Sequence, residues 1–169
     1  MGFTAAGIST STVTTAAQGQ QAPLGFKLTV PNGDLGNQEW TYIQAGSAFR
    51  IGMCACHADG ATPYNGTIVD AASQQPAKVY GIAQHAIASG SFGFVLSRGS
   101  GYFRSDGGAV AVNTIIQTSG TGIEGCIVET ALADGTSLGF VTTASATNAT
   151  IDPDDATAVI GVALINTGP

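Results

Sequence analysis

Ser91-Phe92-Gly93-Phe94-Val95-Leu96-Ser97 decides the fold class. Phe92, Phe94 and Leu96 fall on one side of an extended chain and Ser91, Gly93 and Ser97 on the other, a period of two that belongs to a half-buried β-strand and not to a helix. Upstream, Phe26, Leu28 and Val30 alternate with Lys27 and Thr29 in the same way. Further strand candidates are Glu39 to Gln44, Ala48 to Cys56, Lys78 to Ala83, Asn113 to Thr118, Gly125 to Thr130, Ser137 to Thr143 and Ala158 to Ile165. Turn signals fall between them at Pro31-Asn32-Gly33-Asp34, Asp59-Gly60, Asn65-Gly66, Asp106-Gly107-Gly108, Asp134-Gly135 and Asp152-Pro153. About nine short strands at this spacing predict an all-β domain, a compact β-sandwich or β-barrel-like fold.

Helix signals are thin. Ile82 to Ser89 and Pro153 to Thr157 read as a turn or two at most, the second with Asp152 as its N-cap. One internal echo stands out, since Val79-Tyr80-Gly81-Ile82-Ala83 recurs as Val159-Ile160-Gly161-Val162-Ala163. A glycine inside a strand implies a bulge or a close approach of another backbone. Chance in a chain rich in Gly, Ala and Val gives the same pattern.

The 169 residues suit a single domain. Hydrophobic residues make up 44% of the chain, which excludes a disordered protein, while 9% charged residues and 24 glycines are unusual for a globular one. Residues 1–23 are mostly Ala, Thr, Ser, Gln and Gly, with isolated Phe3, Ile8 and Val13. Such a segment builds no core of its own, so it reads as an extended N-terminal arm, and residues 24–169 as one β-rich domain. The regular apolar residues favour an arm that orders against a neighbouring chain over a solubility tail. Phe3, Ile8 and Val13 are then its assembly contacts.

The net charge is −6, and the cations Lys27, Arg50, Lys78, Arg98 and Arg104 are scattered along the chain. Binding to nucleic acid or to an anionic membrane needs cations gathered on one face, so neither partner is expected. The longest clean apolar run, Ala158 to Ile165, is far short of the ~20 residues that span a bilayer. Met1 to Gln21 lacks the basic and apolar regions of a secretory signal, and Ala6 stands where myristoylation requires Ser or Thr. Cys54, Cys56 and Cys126 cannot all pair within one chain and read as reduced thiols of a protein made in the cytoplasm.

Candidate chemistry is present but in the wrong contexts. Gly135-Thr136-Ser137-Leu138-Gly139 matches a nucleophile elbow, yet that elbow launches a helix and this one precedes a strand pattern. Cys54-Ala55-Cys56-His57 resembles a metal box, but as a strand it splits His57 from the two thiols, and Cys126 and His85 would have to complete it. His57 and His85 are the only histidines, and neither has a carboxylate and nucleophile at an interpretable spacing. Asp152-Pro153-Asp154-Asp155 lacks the ligand pattern of a calcium loop and reads as a solvated turn. Gly99-Ser100-Gly101 and Gly120-Thr121-Gly122 read as loops rather than phosphate cradles, and the two N-glycosylation patterns mean little without a signal segment. Trp40, Tyr42, Tyr64, Tyr80 and Tyr102 offer sugar-stacking rings, although aromatic residues at strand spacing pack cores or interfaces more often. No catalytic residue, cofactor or metal ion is expected.

So few charges leave much surface that is neither charged nor buried within the chain, as in a subunit that packs against others. Tyr80-Gly81-Ile82-Ala83, then Ala88-Ser89-Gly90-Ser91-Phe92-Gly93-Phe94-Val95-Leu96, and the closing Val159-Ile160-Gly161-Val162-Ala163-Leu164 resemble the capsid cement, or decoration, proteins of tailed bacteriophages. The similarity covers Lys78 to Gly168. It implies a non-enzymatic structural protein on the outside of the mature shell, bound to the major capsid protein and to other copies of itself. A trimer is favoured and a dimer is possible. The alternatives are a β-rich module of a phage tail, fibre or cell-surface layer, and a glycan-binding domain.

Overall fold

The computed structural model describes residues 4–5, 7–31, 36–57, 61–68, 78–119, 125–130, 137–147, 150–155 and 157–167. Among these no α-helix occurs, and the all-β expectation holds. β1 (Thr4–Ala5) and β2 (Ile8–Ser9) form a small hairpin of their own. The other ten strands are β3 (Lys27–Pro31), β4 (Asn37–Ala45), β5 (Cys54–His57), β6 (Asn65–Ile68), β7 (Val79–Ala83), β8 (Phe92–Arg104), β9 (Ile115–Thr118), β10 (Ile127–Thr130), β11 (Gly139–Thr147) and β12 (Val159–Asn166). They form one hydrogen-bonded sheet in the order β10-β9-β11-β12-β8-β7-β5-β6-β4-β3.

That sheet folds into two rings that share β8. The first ring runs β8-β7-β5-β6-β4 and closes where β4 pairs antiparallel with β8, from Trp40 opposite Leu96 to Gln44 opposite Phe92. The second runs β8-β12-β11-β9-β10 and closes at a parallel bridge between Ser105, at the end of β8, and Ile127. Leu96 pairs with Trp40 on one side and Ile82 on the other, and Arg98 pairs with Glu39 and Asn166. β7 and β12 therefore follow one another along the same edge of β8. These two strands carry the sequence echo, so each copy of apolar-x-Gly-apolar-Ala occupies the same edge of β8 in its own ring.

Every strand of the first ring sends small or apolar side chains to one cluster: Ile43 from β4, Ala55 from β5, Ala83 from β7 and Val95 from β8, with Ile68 of β6 packed against it. Strands of a closed ring meet in this way only at its interior. Phe49, Met53 and Ile87 fill the rest. A Cβ on Gly66 of β6 would meet Ile43 Cδ1 at 2.8 Å, so the interior admits no side chain there. The opposite face carries a cross-strand row, Trp40-Leu96-Ile82-Cys54. This row belongs to a larger cluster that continues through Phe103 and Ile116 to Ile127, Val141, Ala163 and Ile165 of the second ring.

The arm's described residues pack on the same chain, Ile8 against the larger cluster and Val13 against the ring interior's cluster. Thr14 and Phe92 exchange backbone hydrogen bonds at 3.0 and 2.7 Å, the Gln21 amide donates to the Tyr42 hydroxyl at 3.0 Å, and Thr10 and Ala22 are buried.

Several local expectations are corrected. Ala48 to Cys56 is not one strand: Gly52, at φ +83°, turns the chain so tightly against the Phe103–Arg104 backbone that only Cys54–His57 remains extended. Asn65-Gly66 starts β6 instead of making a turn, because Gly66 is drawn into the ring interior. Gly99-Ser100-Gly101 lies inside β8, where Gly99 passes the Asn37 carbonyl and Gly101 clears Gln84, approaches that a Cβ would prevent. Ile82 and Ala83 end β7, and Pro153–Asp154 is a bare turn. Asp59-Gly60, Asp134-Gly135 and Gly120-Thr121-Gly122 lie outside the described residues.

Candidate functional site

Among the described residues Arg104 is the largest fully buried side chain, 2% exposed, at the end of the strand both rings share. A guanidinium cannot shed its charge, so burial demands anionic partners. Asp152 supplies the first, through Arg104 Nη2, and Asp155 the second, 2.8 Å from Nη1; the Ile51 carbonyl accepts from Nε at 3.2 Å. Arg50 binds the same Asp152 carboxylate in bidentate fashion, at 2.9 and 2.7 Å. That bond from Arg50, with Arg104 alongside, holds the Asp152 carboxyl below its ordinary value. The Thr157 hydroxyl, and then Arg104, does the same for Asp155. The expected solvated turn at Asp152 is thus a correction: two of the apparently scattered cations converge on it, and the cluster ties β8 to the turns at 50–53 and 152–155.

On the other flank of β8 lies a cleft of about 430 Å³. Its walls include Gln38 and Trp40 of β4, Tyr102 of β8, Gln84 and His85 after β7, and Thr10 of the arm. Gln84 acts there as a strand partner: its amide donates to the Tyr102 carbonyl at 3.0 Å, and its Oε1 accepts from the Tyr102 N–H at 2.8 Å. Tyr102 is held in place by its backbone while its side chain stays 38% exposed. Two ring nitrogens of cleft residues, Trp40 Nε1 and His85 Nε2, are buried without a hydrogen-bonding partner among the described residues. Leaving such a group unpaired costs about 1–3 kcal/mol. Burial also pushes the His85 imidazole down to about 4, so it is neutral at neutral pH. No Asp, Glu, Lys or Arg lines the cleft among the described residues.

The second ring presents a third feature on its outer face. Phe140 of β11 and Leu164 of β12 are direct cross-strand partners and are 42% and 40% exposed. Ile115 pairs with Phe140 on the far side, and Val162 pairs with Tyr102. Neither β11 nor β12 contains a charged residue.

No protein-family model matches this chain, and no curated protein matches it. Among solved structures the chain is similar to the head fiber gp8.5 N base of bacteriophage phi29, with a TM-score of 0.48 and 14% identity, over 77% of this chain and 96% of that one.

The residues singled out from the sequence fall as follows. Ile8 is half-buried against the larger cluster and Val13 against the ring interior's cluster; Phe3 lies outside the described residues. Ser137 Oγ makes only local contacts with Gly139, at 3.3 Å. Cys54, Cys56 and Cys126 are free and buried, and burial raises Cys56 to about 12, Cys126 to about 11 and Cys54 well above its ordinary value, which keeps the thiols protonated. No cluster of three metal-ligating side chains occurs among the described residues. His57 Nδ1 meets the Tyr80 hydroxyl at 2.8 Å, and that hydroxyl also accepts from the Tyr64 N–H at 2.9 Å. Of the five aromatic residues read as possible stacking rings, only Trp40 and Tyr102 share the cleft. Its polar walls, Gln38 and Gln84, carried no sequence signal, since glutamine in a strand-rich chain has many uses.

Proposed function

We propose that this chain is a structural protein of a tailed-phage virion, a capsid cement protein that binds the outside of the mature shell and stabilises contacts between capsomers. The observation that carries the reading is the β11–β12 face, where the exposed Phe140–Leu164 pair sits on two strands without a charge. An apolar, charge-poor surface loses little by leaving water against another protein. The resemblance of Lys78 to Gly168 to decoration proteins supplies the partner, the major capsid protein, and the second partner, further copies of the chain, with a trimer favoured. The protein has no catalytic role in this reading and acts by mass action alone: it binds the expanded lattice and not its precursor, and so stabilises the expanded state in proportion to the logarithm of its free concentration over its Kd. Low affinity per copy suffices where copies touch, because contact raises their effective concentration.

Densitometry of this chain against the major shell protein, in intact and emptied particles side by side, tests the reading. A fixed shell-wide ratio that survives emptying is expected. A handful of copies per particle would overturn it in favour of a tail or fibre part, and absence from particles in favour of a surface-layer protein.

A further inference from the structure

We infer that a second copy of this chain docks, about a two-fold axis, on the polar row that crosses β12, β8 and β4 beside the Phe140–Leu164 pair. The row is Asn166, Arg98 and Glu39, which are neighbours in register. The inference rests on the proposed function in taking copies of the chain as partners, and it names the residues of that contact. A two-fold contact joins copies in pairs and leaves a trimer to a separate surface.

Arg98 is 60% exposed and Glu39 37%. They meet through one contact of 3.4 Å, and Arg98 Nε donates to Asn166 Oδ1 at 3.3 Å. Exposed pairs of this kind add little within a chain, and both groups keep bonding capacity to spare, since a guanidinium has five N–H donors and a carboxylate about four lone-pair sites. Their surroundings on these strands are uncharged. Glu39 is the only charged residue of β4, β12 has none, and β8 adds only Arg104, which is buried at its end. The face thus carries one positive and one negative group side by side. An acidic partner would meet Glu39 and a basic one Arg98, so neither is matched. A copy turned about a two-fold axis is matched at both groups: its Glu39 comes to Arg98 and its Arg98 to Glu39, because such a contact pairs i with j and j with i. Further along the same side of β8, Tyr102 is 38% exposed. Tyrosine and arginine are among the residue types that dominate binding energy at interfaces.

The test uses the full-length protein without shells, so that its failure leaves the shell contact standing and a failed shell contact leaves this one standing. Sedimentation equilibrium at low salt, from about 10 μM to about 1 mM, is expected to show reversible self-association. Arg98→Glu and Glu39→Arg, each alone, set like charges against each other at both contacts of the pair and are expected to weaken association at least about tenfold. An equimolar mixture of the two variants is expected to recover it, since each mixed pair places unlike charges at both contacts. Repair inside a chain cannot explain that recovery, because every chain of the mixture keeps its own like pair. Both sites are exposed, and an unchanged unfolding midpoint verifies that the variants fold. No association up to roughly 1 mM would overturn the proposal. So would association indifferent to both reversals, or a mixture no more associated than its components.

Discussion

Arg104 and Asp152, 48 residues apart in sequence, form a buried ion pair, and Arg50 grips the same carboxylate from its more exposed side. β8 is the strand both rings share, so its far end has to be fixed relative to the turns around it. A buried guanidinium does this directionally, because its donors have to be matched one by one. Asp152→Asn removes the charge that both guanidiniums share, leaving Arg104 with one anionic partner, Asp155, and Arg50 with none within bonding distance among the described residues. The expected loss is about 3 kcal/mol, toward the lower end for a broken buried pair because Asp155 remains. Asp154→Asn, at an exposed position of the same turn, is expected to change stability by less than about 0.5 kcal/mol. Urea unfolding of the two variants at pH 7 checks the contrast, and equal effects would show that the cluster is not what holds the turn.

His85 makes stability depend on pH in a window where the carboxylates do not. In the unfolded chain its imidazole takes a proton near its ordinary 6.5; in the folded protein burial delays this to about 4. Between those values the unfolded state binds the extra proton, so stability falls as pH drops from about 6.5 to about 4. Asp152 and Asp155 have depressed values in the folded protein, so their contribution is intact there and is lost only as pH falls below their ordinary 3.8. The urea midpoint is therefore expected to decline in two stages on acidification. His85→Gln should flatten the first stage and spare the second; a first stage unaltered in that variant would assign it to another group.

Gly66 and Ile43 test the closed first ring. A methyl on Gly66 would press on Ile43 Cδ1, the atom that Ile43→Val removes. Gly66→Ala is expected to cost about 1–3 kcal/mol by overpacking and Ile43→Val about 0.5–1.5 kcal/mol by leaving a gap. The double variant should cost less than the sum, because each change supplies what the other lacks. Simple additivity in thermal unfolding would mean that the two residues do not share an interior.

How far the sequence was legible follows from what each residue answers to. Alternation in Phe92–Leu96 and Phe26–Val30 depends on which face is buried, a local property, and β8 and β3 stand where it places them. But β8 is buried on both faces from Phe92 to Ser97 instead of half-buried, because Val95 faces the first ring's interior while Phe94 and Leu96 face the larger cluster. The length of β8 was hidden because Gly99 and Gly101 carry a loop signature; their small size serves a close approach by Gln38 and Gln84, residues distant in sequence. Asp152-Pro153 read as a solvated turn for the same reason, since Arg50 and Arg104 reach it only through the fold. The cleft was legible in fragments, Trp40 and Tyr102 as two of five aromatic residues, because what unites them is pairing across β4, β8 and β12. Ring closure itself leaves no mark in the sequence: β4 and β8 pair across some fifty positions that the alternation of neither strand records.

Phe140 and Leu164 are where the proposed shell contact is most exposed to test. Each side chain is about 40% accessible and rests on a strand whose alternate residues, Val141 and Ile165, are buried in the second ring. Replacing the outward pair by Phe140→Ser and Leu164→Ser therefore removes apolar surface without opening the core, and the double variant is expected to keep its unfolding midpoint to within about 1 kcal/mol. Binding is where the change should register. If the pair lies at the centre of a docking surface, loss of two such side chains costs on the order of 2–4 kcal/mol, a fall of roughly 30- to 1,000-fold in affinity for shells. Co-sedimentation of purified protein with expanded, undecorated shells measures this, with Phe26→Ser as the control, a partly exposed apolar residue beside β3, at the other end of the sheet from β11. Occupancy equal to wild type in the double variant would remove the β11–β12 face from the contact and leave the described part of the arm as the next surface to substitute.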